Sequence, residues 1–488
     1  MQRKIKFITV IAIVFFSVVA GGVGPAAMAA QRHTPEDEVS RYLQREMQDR
    51  RIPGLQLAVV QGGKIVMLKS YGLAELQHAI PVTNSSVFSI NSATKSFTGV
   101  AVMQLVDQGK LDLSAPVSRY LKDLPAPWQD VTITQLLTHI SGIPDIIDQK
   151  TSRLATAGGA EAAWKQVQAM PMDFARGERY SYNQTNYLLL GKLIDQLSGQ
   201  PFVQFIQQRQ FDAVGMRQTG FGDVHDVIPD KAVSYVFDQD GATLKQVIDE
   251  FPAFLRTGAG INSSAENLAR WIIALQKGKL LSDAGLKQLW TPGHFNDGST
   301  TPWALGWPTR RQKEYRAVAG IGGMRSAFFV YPDNDLAVVI LTNLAGASPE
   351  GMIDTVAGYF LPGLRSVDGS YTVYRLREAV QKNGFDHLDE QLAKLKKQDG
   401  LVDASEEELN LWGYRLLGQK KNQPAIAVLH LATQLYPRSA NADDSLAEAY
   451  EAAGKTDLAV QHYRRSLERD PKNQHATDRL RVIDQKAN

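Results

Sequence analysis

Ser89-Ile90-Asn91-Ser92-Ala93-Thr94-Lys95-Ser96-Phe97-Thr98 sets a hydroxyl and an amine three positions apart at the start of an apolar helical pattern. Side chains at i and i+3 of a helix share one face, so Lys95 can reach Ser92 unaided. The first N–H groups of a helix have no intrahelical partner and carry positive partial charge, which suits a developing oxyanion. This is the one Ser-x-x-Lys in the sequence. Downstream, Phe97, Ala101 and Leu105, with Val102 and Val106 beside them, recur at helical spacing up to Gly109, a C-terminal cap. A helix this apolar is buried, which would hold Ser92 rigidly.

The flanks give the architecture. Upstream, Thr34-Pro35-Glu36 starts an amphipathic helix that runs to Arg50. Gly54 to Val60 and Lys64 to Ser70, on either side of Gln61-Gly62-Gly63, read as a hairpin. From Asp112 to about Thr309 the pattern is mainly helical, broken by loops such as Leu124-Pro125-Ala126-Pro127. Strands return with Ala327 to Tyr331 and Leu336 to Thr342, joined by Pro332-Asp333-Asn334-Asp335. Strands at both extremities with helices between predict one antiparallel sheet covered by helices, an α+β domain over residues 34–363.

Beyond it, residues 371–488 are helical and rich in charge. Ala425 and Ala459, and Pro437 and Pro471, lie 34 apart. Trp412-Gly413 aligns with Leu446-Ala447, Leu416 with Tyr450, Leu429 with Tyr463, and Ala432 with Ser466. Small residues where helices cross and Pro at the repeat end resemble the tetratricopeptide (TPR) pattern. Two repeats cover 406–472, and 372–404 offers a degenerate helical pair before them. So short an array is expected to lean on the first domain. A protein partner for this all-α tail is the corresponding expectation.

Composition bounds the rest. The chain has 488 residues, 44% hydrophobic and 21% charged, in the range of soluble globular proteins. Arg3, Lys4 and Lys6 precede an apolar run from Phe7 to Val19 and a small-residue stretch to Ala30, which predicts a signal peptide over 1–29 and a secreted or periplasmic protein. Removing those three basic residues from the 53 leaves 50 against 51 acidic, so charge gives no reason to expect nucleic acid as partner. With no cysteine there is no disulfide framework, thiolate metal site or catalytic thiol. No His, Asp or Glu cluster has metal-ligand spacing, and no cofactor is expected.

Several segments, in order, resemble the serine β-lactamase and penicillin-binding protein superfamily, in its branch of class C β-lactamases, D-alanyl-D-alanine carboxypeptidases and related esterases. They are Phe88 to Lys95, Ile133-Thr134-Gln135-Leu136-Leu137-Thr138-His139-Ile140-Ser141-Gly142, Tyr180-Ser181-Tyr182-Asn183-Gln184-Thr185-Asn186-Tyr187, Ala304-Leu305-Gly306-Trp307, and the strand ending Leu341-Thr342-Asn343. The resemblance implies that Ser92 is the acylated nucleophile, Lys95 its base or proton relay, and Tyr182 a partner in proton transfer. A phenol is a poor base at neutral pH unless a neighbour such as Lys95 polarises it. His139 reads as a satisfied core residue.

Two departures bear on substrate. Gln184 stands where relatives usually have Asn, which keeps a carboxamide for a substrate carbonyl or for Lys95 but lengthens it; Asn183 and Asn186 are alternatives. Relatives also carry Lys-Thr-Gly or His-x-Gly on the strand facing the nucleophile. In Arg316-Ala317-Val318-Ala319-Gly320-Ile321-Gly322-Gly323-Met324-Arg325-Ser326, Ala317 or Val318 takes the place of the cation. A backbone N–H near Gly320 is expected to complete the oxyanion hole, and Arg325 is the residue that could restore the charge. The missing cation argues for esters or amides without a recognised carboxylate. A D-amino-acid-specific carboxypeptidase or weak β-lactamase is the alternative within enzymes. A catalytically idle envelope module working through its tail is the alternative outside them.

Overall fold

The computed structural model describes residues 34–487 apart from 149–152, 155, 157, 239 and 240, so the leader read over 1–29 lies outside the described residues. Helix α1 (Pro35–Arg50) starts where its sequence says it must. Thr34 Oγ1 accepts the Asp37 N–H at 3.2 Å and the Asp37 carboxylate accepts the Thr34 N–H at 3.1 Å, a capping box with Pro at the first helical position.

The sheet is built from both ends of the first domain. Its strands are β1 (Gly54–Gln61), β2 (Lys64–Glu75), β3 (Ile80–Pro81), β4 (Thr309–Gln312), β5 (Tyr315–Gly322), β6 (Ser326–Tyr331) and β7 (Leu336–Thr342), in spatial order β4-β5-β6-β7-β1-β2-β3. Every pairing is antiparallel. The closing pair joins the extremities, from Leu55 opposite Thr342 to Gln61 opposite Leu336. Side chains alternate between faces. Ala58, Val60, Val318, Phe328, Val330 and Val339 enter the core shared with the helical middle. Leu57, Val59, Ala319, Phe329, Val338 and Ile340 face α1 and a helix over Glu350–Gly358. Every residue of β7 is buried, which is why it reads as an unbroken apolar run.

The nucleophile helix α2 (Thr94–Asp107) lies within the first of these cores, buried from Thr94 to Leu105. Behind the opposite face lies the all-α tail: α3 (Gly369–Asn383), α4 (Leu388–Asp399), α5 (Glu406–Gly418), α6 (Asn422–Leu435), α7 (Ala440–Ala452), α8 (Thr456–Arg469) and α9 (Gln474–Ala487). Helices α5, α7 and α9 begin 34 residues apart. Gly413 marks a crossing: a Cβ there would lie 2.5 Å from Leu429 Cγ of the next helix.

The tail is fixed to the first domain by a shared core and by buried charge. Tyr371, Tyr374 and Leu401 join the cluster under α1, and the Tyr42 and Tyr374 rings meet edge-on at 4.9 Å. Arg50, buried, reaches Glu46 at 2.7 Å and Glu408 at 3.0 Å, while Arg377 binds Glu46 at 2.6 Å and also Asp49. Burial pushes the Glu46 carboxyl up, but the Arg377 and Arg50 guanidiniums outweigh it and hold it at about 2.

Candidate active site

Ser92 occupies a single 3-10 turn, Asn91–Ala93, that runs straight into α2. Asn91 enters it at φ 48°, a left-handed backbone that Asn tolerates better than most residues. This sharp entry leaves Ser92 half-buried while its neighbours Asn91 and Ala93 are buried. One helical turn on, Lys95 is 1% exposed. Its Nζ donates to the Gly258 carbonyl at 2.9 Å and lies 4.7 Å from the Tyr182 ring centroid and 5.1 Å from that of Tyr187. Gln184 arrives beside it: a Cβ on Gly258 would be 2.8 Å from Gln184 Oε1 and 3.0 Å from Lys95 Nζ. The structure therefore brings Ser92, Lys95, Tyr182 and Gln184 together from segments almost a hundred residues apart in sequence.

The Tyr182 segment is held by His139. The Ser181 N–H donates to the His139 carbonyl at 2.9 Å, and the Asn183 N–H donates to His139 Nδ1 at 3.1 Å, which places the ring proton on Nε2. The imidazole lies 4.6 Å from the Tyr182 ring, 5.1 Å from Tyr187 and 5.0 Å from Trp303. His139 is thus a core residue as expected, but its Nε2 has no hydrogen-bond partner, so it is not a fully satisfied one, and it positions Tyr182, a role its sequence context did not reveal. Asn183 and Asn186 are turned to structural use. Asn183 caps the helix Gln184–Ser198 by accepting the Asn186 N–H at 2.9 Å, and Asn186 Oδ1 accepts the Ser141 hydroxyl at 2.7 Å. Gln184 is the carboxamide that faces Lys95.

Burial, and after it the Lys95 charge, hold the His139 imidazole well below its ordinary 6.5. It is neutral when folded and takes up a proton near 6.5 when unfolded, so its contribution is complete above that pH and lost as pH falls. The loss should reach up to about 1.4 kcal/mol per pH unit. His139→Asn, which keeps an acceptor for the Asn183 N–H, should remove this slope, so thermal unfolding at pH 5 to 8 should show the wild-type and variant curves converging in acid. Parallel curves would contradict the assignment.

The strand opposite the nucleophile corrects the sequence reading in three places. First, the residue against the Ser92 turn is Gly322 rather than Gly320. A Cβ at Gly322 would lie 1.9 Å from the Ile90 carbonyl oxygen, 2.8 Å from Ser92 N and 2.9 Å from Ala93 N. Gly320 lies under its cross-strand partner Phe328, whose Cζ would be 2.1 Å from an added Cβ. Second, counting back from Gly322, the position of the missing cation is Gly320 itself, not Ala317 or Val318. Ala317 and Val318 lie farther along β5, buried on opposite faces of the sheet. Third, Arg325 does not stand open to the cleft. It is 4% exposed, and its Nη2 donates to Asp249 Oδ1 at 2.8 Å and to Asn91 Oδ1 at 3.0 Å. It ties the β5–β6 turn to the residue before the nucleophile and is a positioning residue.

The segment carrying Asp249 also ends at Gly258, so one stretch of chain supplies the Arg325 partner and the Lys95 acceptor. Among the described residues one group, Asp444, Glu448 and His475 in the tail, comes within metal-ligating distance. There His475 Nδ1 meets Asp444 at 2.8 Å and Nε2 meets Glu448 at 3.1 Å, which engages both ring nitrogens with carboxylates.

The family model described as Beta-lactamase matches residues 39–358. Protein flp of Staphylococcus aureus (strain MW2) is 25% identical over 320 residues, which are 63% of this chain and 63% of that protein, so the chain spans less than two thirds of that relative's length. Among solved structures, the octameric penicillin-binding protein homologue from Pyrococcus abyssi superposes with a TM-score of 0.59 at 24% identity, covering 70% of this chain and 81% of that one. The penicillin-binding protein from Bacillus halodurans gives 0.54 at 27% identity, over 64% and 98%. The matched region takes in the whole sheet, together with Ser92, Lys95 and Tyr182, and the chain belongs to the beta-lactamase family.

Proposed function

We propose that this protein is an exported hydrolase that forms an acyl-enzyme on Ser92 and acts on esters or amides lacking a recognised carboxylate. In this reading Ser92 Oγ attacks the carbonyl carbon and its proton passes to Lys95 or Tyr182. N–H groups of the Ser92 turn and of the end of β5 hold the oxyanion. The leaving alcohol or amine takes a proton as its bond to the carbonyl carbon breaks. Water then attacks the acyl carbon, and Ser92 regains its proton as the acid departs. Gln184 is placed to orient the carbonyl or the Lys95 ammonium.

The observation that carries the substrate class is the character of β5. At Gly320 there is no side chain to bind a carboxylate, the Phe328 ring covers the space one would need, and Arg325 is buried with its Nη2 engaged by Asp249 and Asn91. The export part of the reading rests on the leader sequence. The tail, with helix pairs spaced by 34 residues, offers a surface for a protein partner.

Purified protein should be labelled by a fluorophosphonate, with no labelling of Ser92→Ala. A short-chain p-nitrophenyl ester should be hydrolysed faster than nitrocefin or a D-Ala-D-Ala peptide. Faster turnover of nitrocefin or of the D-peptide would reject the substrate class, and equal labelling of Ser92→Ala would reject the nucleophile. Absence of labelling in the wild type would favour the idle-module alternative.

A further inference from the structure

Where the tail meets the first domain there is a cleft of about 230 Å³, lined by no residue that the reaction above uses. Asp49 at the end of α1, Arg377 of α3, and Trp412 and Arg415 of α5 stand in its walls. The depth is apolar: Trp412 is buried, and its ring meets that of Phe385, also in the lining, at 5.8 Å between centroids. The rim is polar, with Gln381, Gln419 and Lys421 all exposed.

Three arginines lie near one another here, and two of them are neutralised. Arg50 pairs with Glu46 and Glu408, and Arg377 with Glu46 and Asp49. Arg415 is the exception. Its Nη2 is buried without a hydrogen bond, and among the described residues it joins none of these ion pairs. Burial, and after it the Arg50 and Arg377 charges, pull its guanidinium down from 12.5 to about 9, so it is still charged at neutral pH. A buried cation without a counter-ion is unfavourable, and a bound anion would supply the partner the fold omits. The guanidinium is a planar fork of donors that matches a carboxylate. One negative charge suits the cleft better than two, because the Asp49 carboxylate also lines it and would repel the second. The Trp412 and Phe385 rings offer apolar contact to the rest of such a ligand. We propose that this cleft binds a small monocarboxylic acid with an aromatic or aliphatic body, its carboxylate on Arg415 and its body against Trp412. A ligand held there touches α1, α3 and α5 at once and so tightens the seat of the tail on the first domain. The site shares no residue with the surroundings of Ser92 and does not depend on the acyl-enzyme reading.

The test is calorimetry on the full chain with 3-phenylpropionate, its uncharged analogue 3-phenylpropionamide, and inorganic phosphate. The acid should bind, and the amide should bind on the order of tenfold to a hundredfold more weakly. Saturating acid should also raise the unfolding midpoint. Arg415→Met keeps the aliphatic stem and should reduce binding of the acid to the level of the amide. Its midpoint should be no lower than that of the wild type, because no ion pair is removed. Gln419→Glu places a negative charge at the exposed rim, where folding is not at stake. It should weaken the acid by roughly twofold to fivefold and leave the amide unchanged. Ser92→Ala should bind the acid as the wild type does, whatever becomes of the nucleophile assignment. No binding of the acid, equal binding of acid and amide, or tighter binding of phosphate would overturn the site. So would acid binding that survives in Arg415→Met or is lost in Ser92→Ala. Should Arg415→Met not fold, an unchanged affinity for the acid in Gln419→Glu overturns it instead.

Discussion

Gly322→Ala is expected to abolish acylation of Ser92. The added methyl would overlap the Ile90 carbonyl oxygen at 1.9 Å and crowd Ser92 N and Ala93 N at 2.8 and 2.9 Å. All three atoms are backbone, so no rotamer change relieves the contact. Either β5 withdraws from the nucleophile turn or the turn itself moves. In the proposed mechanism both carry oxyanion donors, and displacing a catalytic group by about 1 Å costs on the order of a hundredfold in rate. Losing one oxyanion donor costs a further factor of similar size. The rate of fluorophosphonate labelling should therefore fall by at least about a hundredfold. Gly320→Ala is the control that separates this effect from general disruption. Its methyl meets the ring of Phe328, within a cluster that includes Trp271 and Trp307. That substitution should lower the unfolding temperature while leaving the donors at Gly322 in place. If Gly322→Ala is labelled at the wild-type rate, β5 does not abut the nucleophile as described.

The contrast between these two glycines shows what could be read from the sequence. The acylation motif was legible because Ser92 and Lys95 lie within one helical turn, and local spacing fixes which side chains share a face. The two hairpins were legible because β7 is apolar throughout and each pair is joined by a short polar connection. The 34-residue period survives in the starts of α5, α7 and α9 because each repeat must place a small residue where helices cross. Which glycine of β5 meets Ser92 depends instead on how far the strand slides past a helix more than two hundred residues away, and no local pattern encodes that. His139 was read correctly as a core residue, but the groups it holds are the Ser181 and Asn183 backbone N–H groups, more than forty positions on, and no local pattern shows that pairing. Arg325 was misread for a related reason. A lone arginine in a turn suggests an exposed charge, and its partner Asp249 lies 76 positions back in a segment without regular structure.

Arg325→Leu is expected to cost both stability and activity. Asp249 is 8% exposed and Arg325 is 4% exposed, so truncating the arginine leaves a carboxylate in the interior without the guanidinium 2.8 Å away. Removing one member of a buried ion pair typically costs about 3–5 kcal/mol. For a chain of this size that corresponds to a fall in unfolding midpoint of roughly 3–7 °C. The remaining nearby cation, Lys231, is a weak substitute. Burial is the main influence lowering its pKa, and only partly offset by the pull of Asp249. The same substitution takes the donor from Asn91 Oδ1, the group that steadies the left-handed turn into Ser92, so labelling should slow as well. Replacing both partners by leucine distinguishes charge burial from loss of the tether. Removing a buried pair together is often neutral or stabilising, so Arg325→Leu/Asp249→Leu should recover most of the lost midpoint. It should not recover the labelling rate, because Asn91 Oδ1 is left with only the long bond from the Ser89 hydroxyl at 3.4 Å. A double variant as unstable as the single one would mean that the pair does not act as a pair. Full recovery of labelling would mean that Arg325 answers Asp249 alone and does not position the nucleophile.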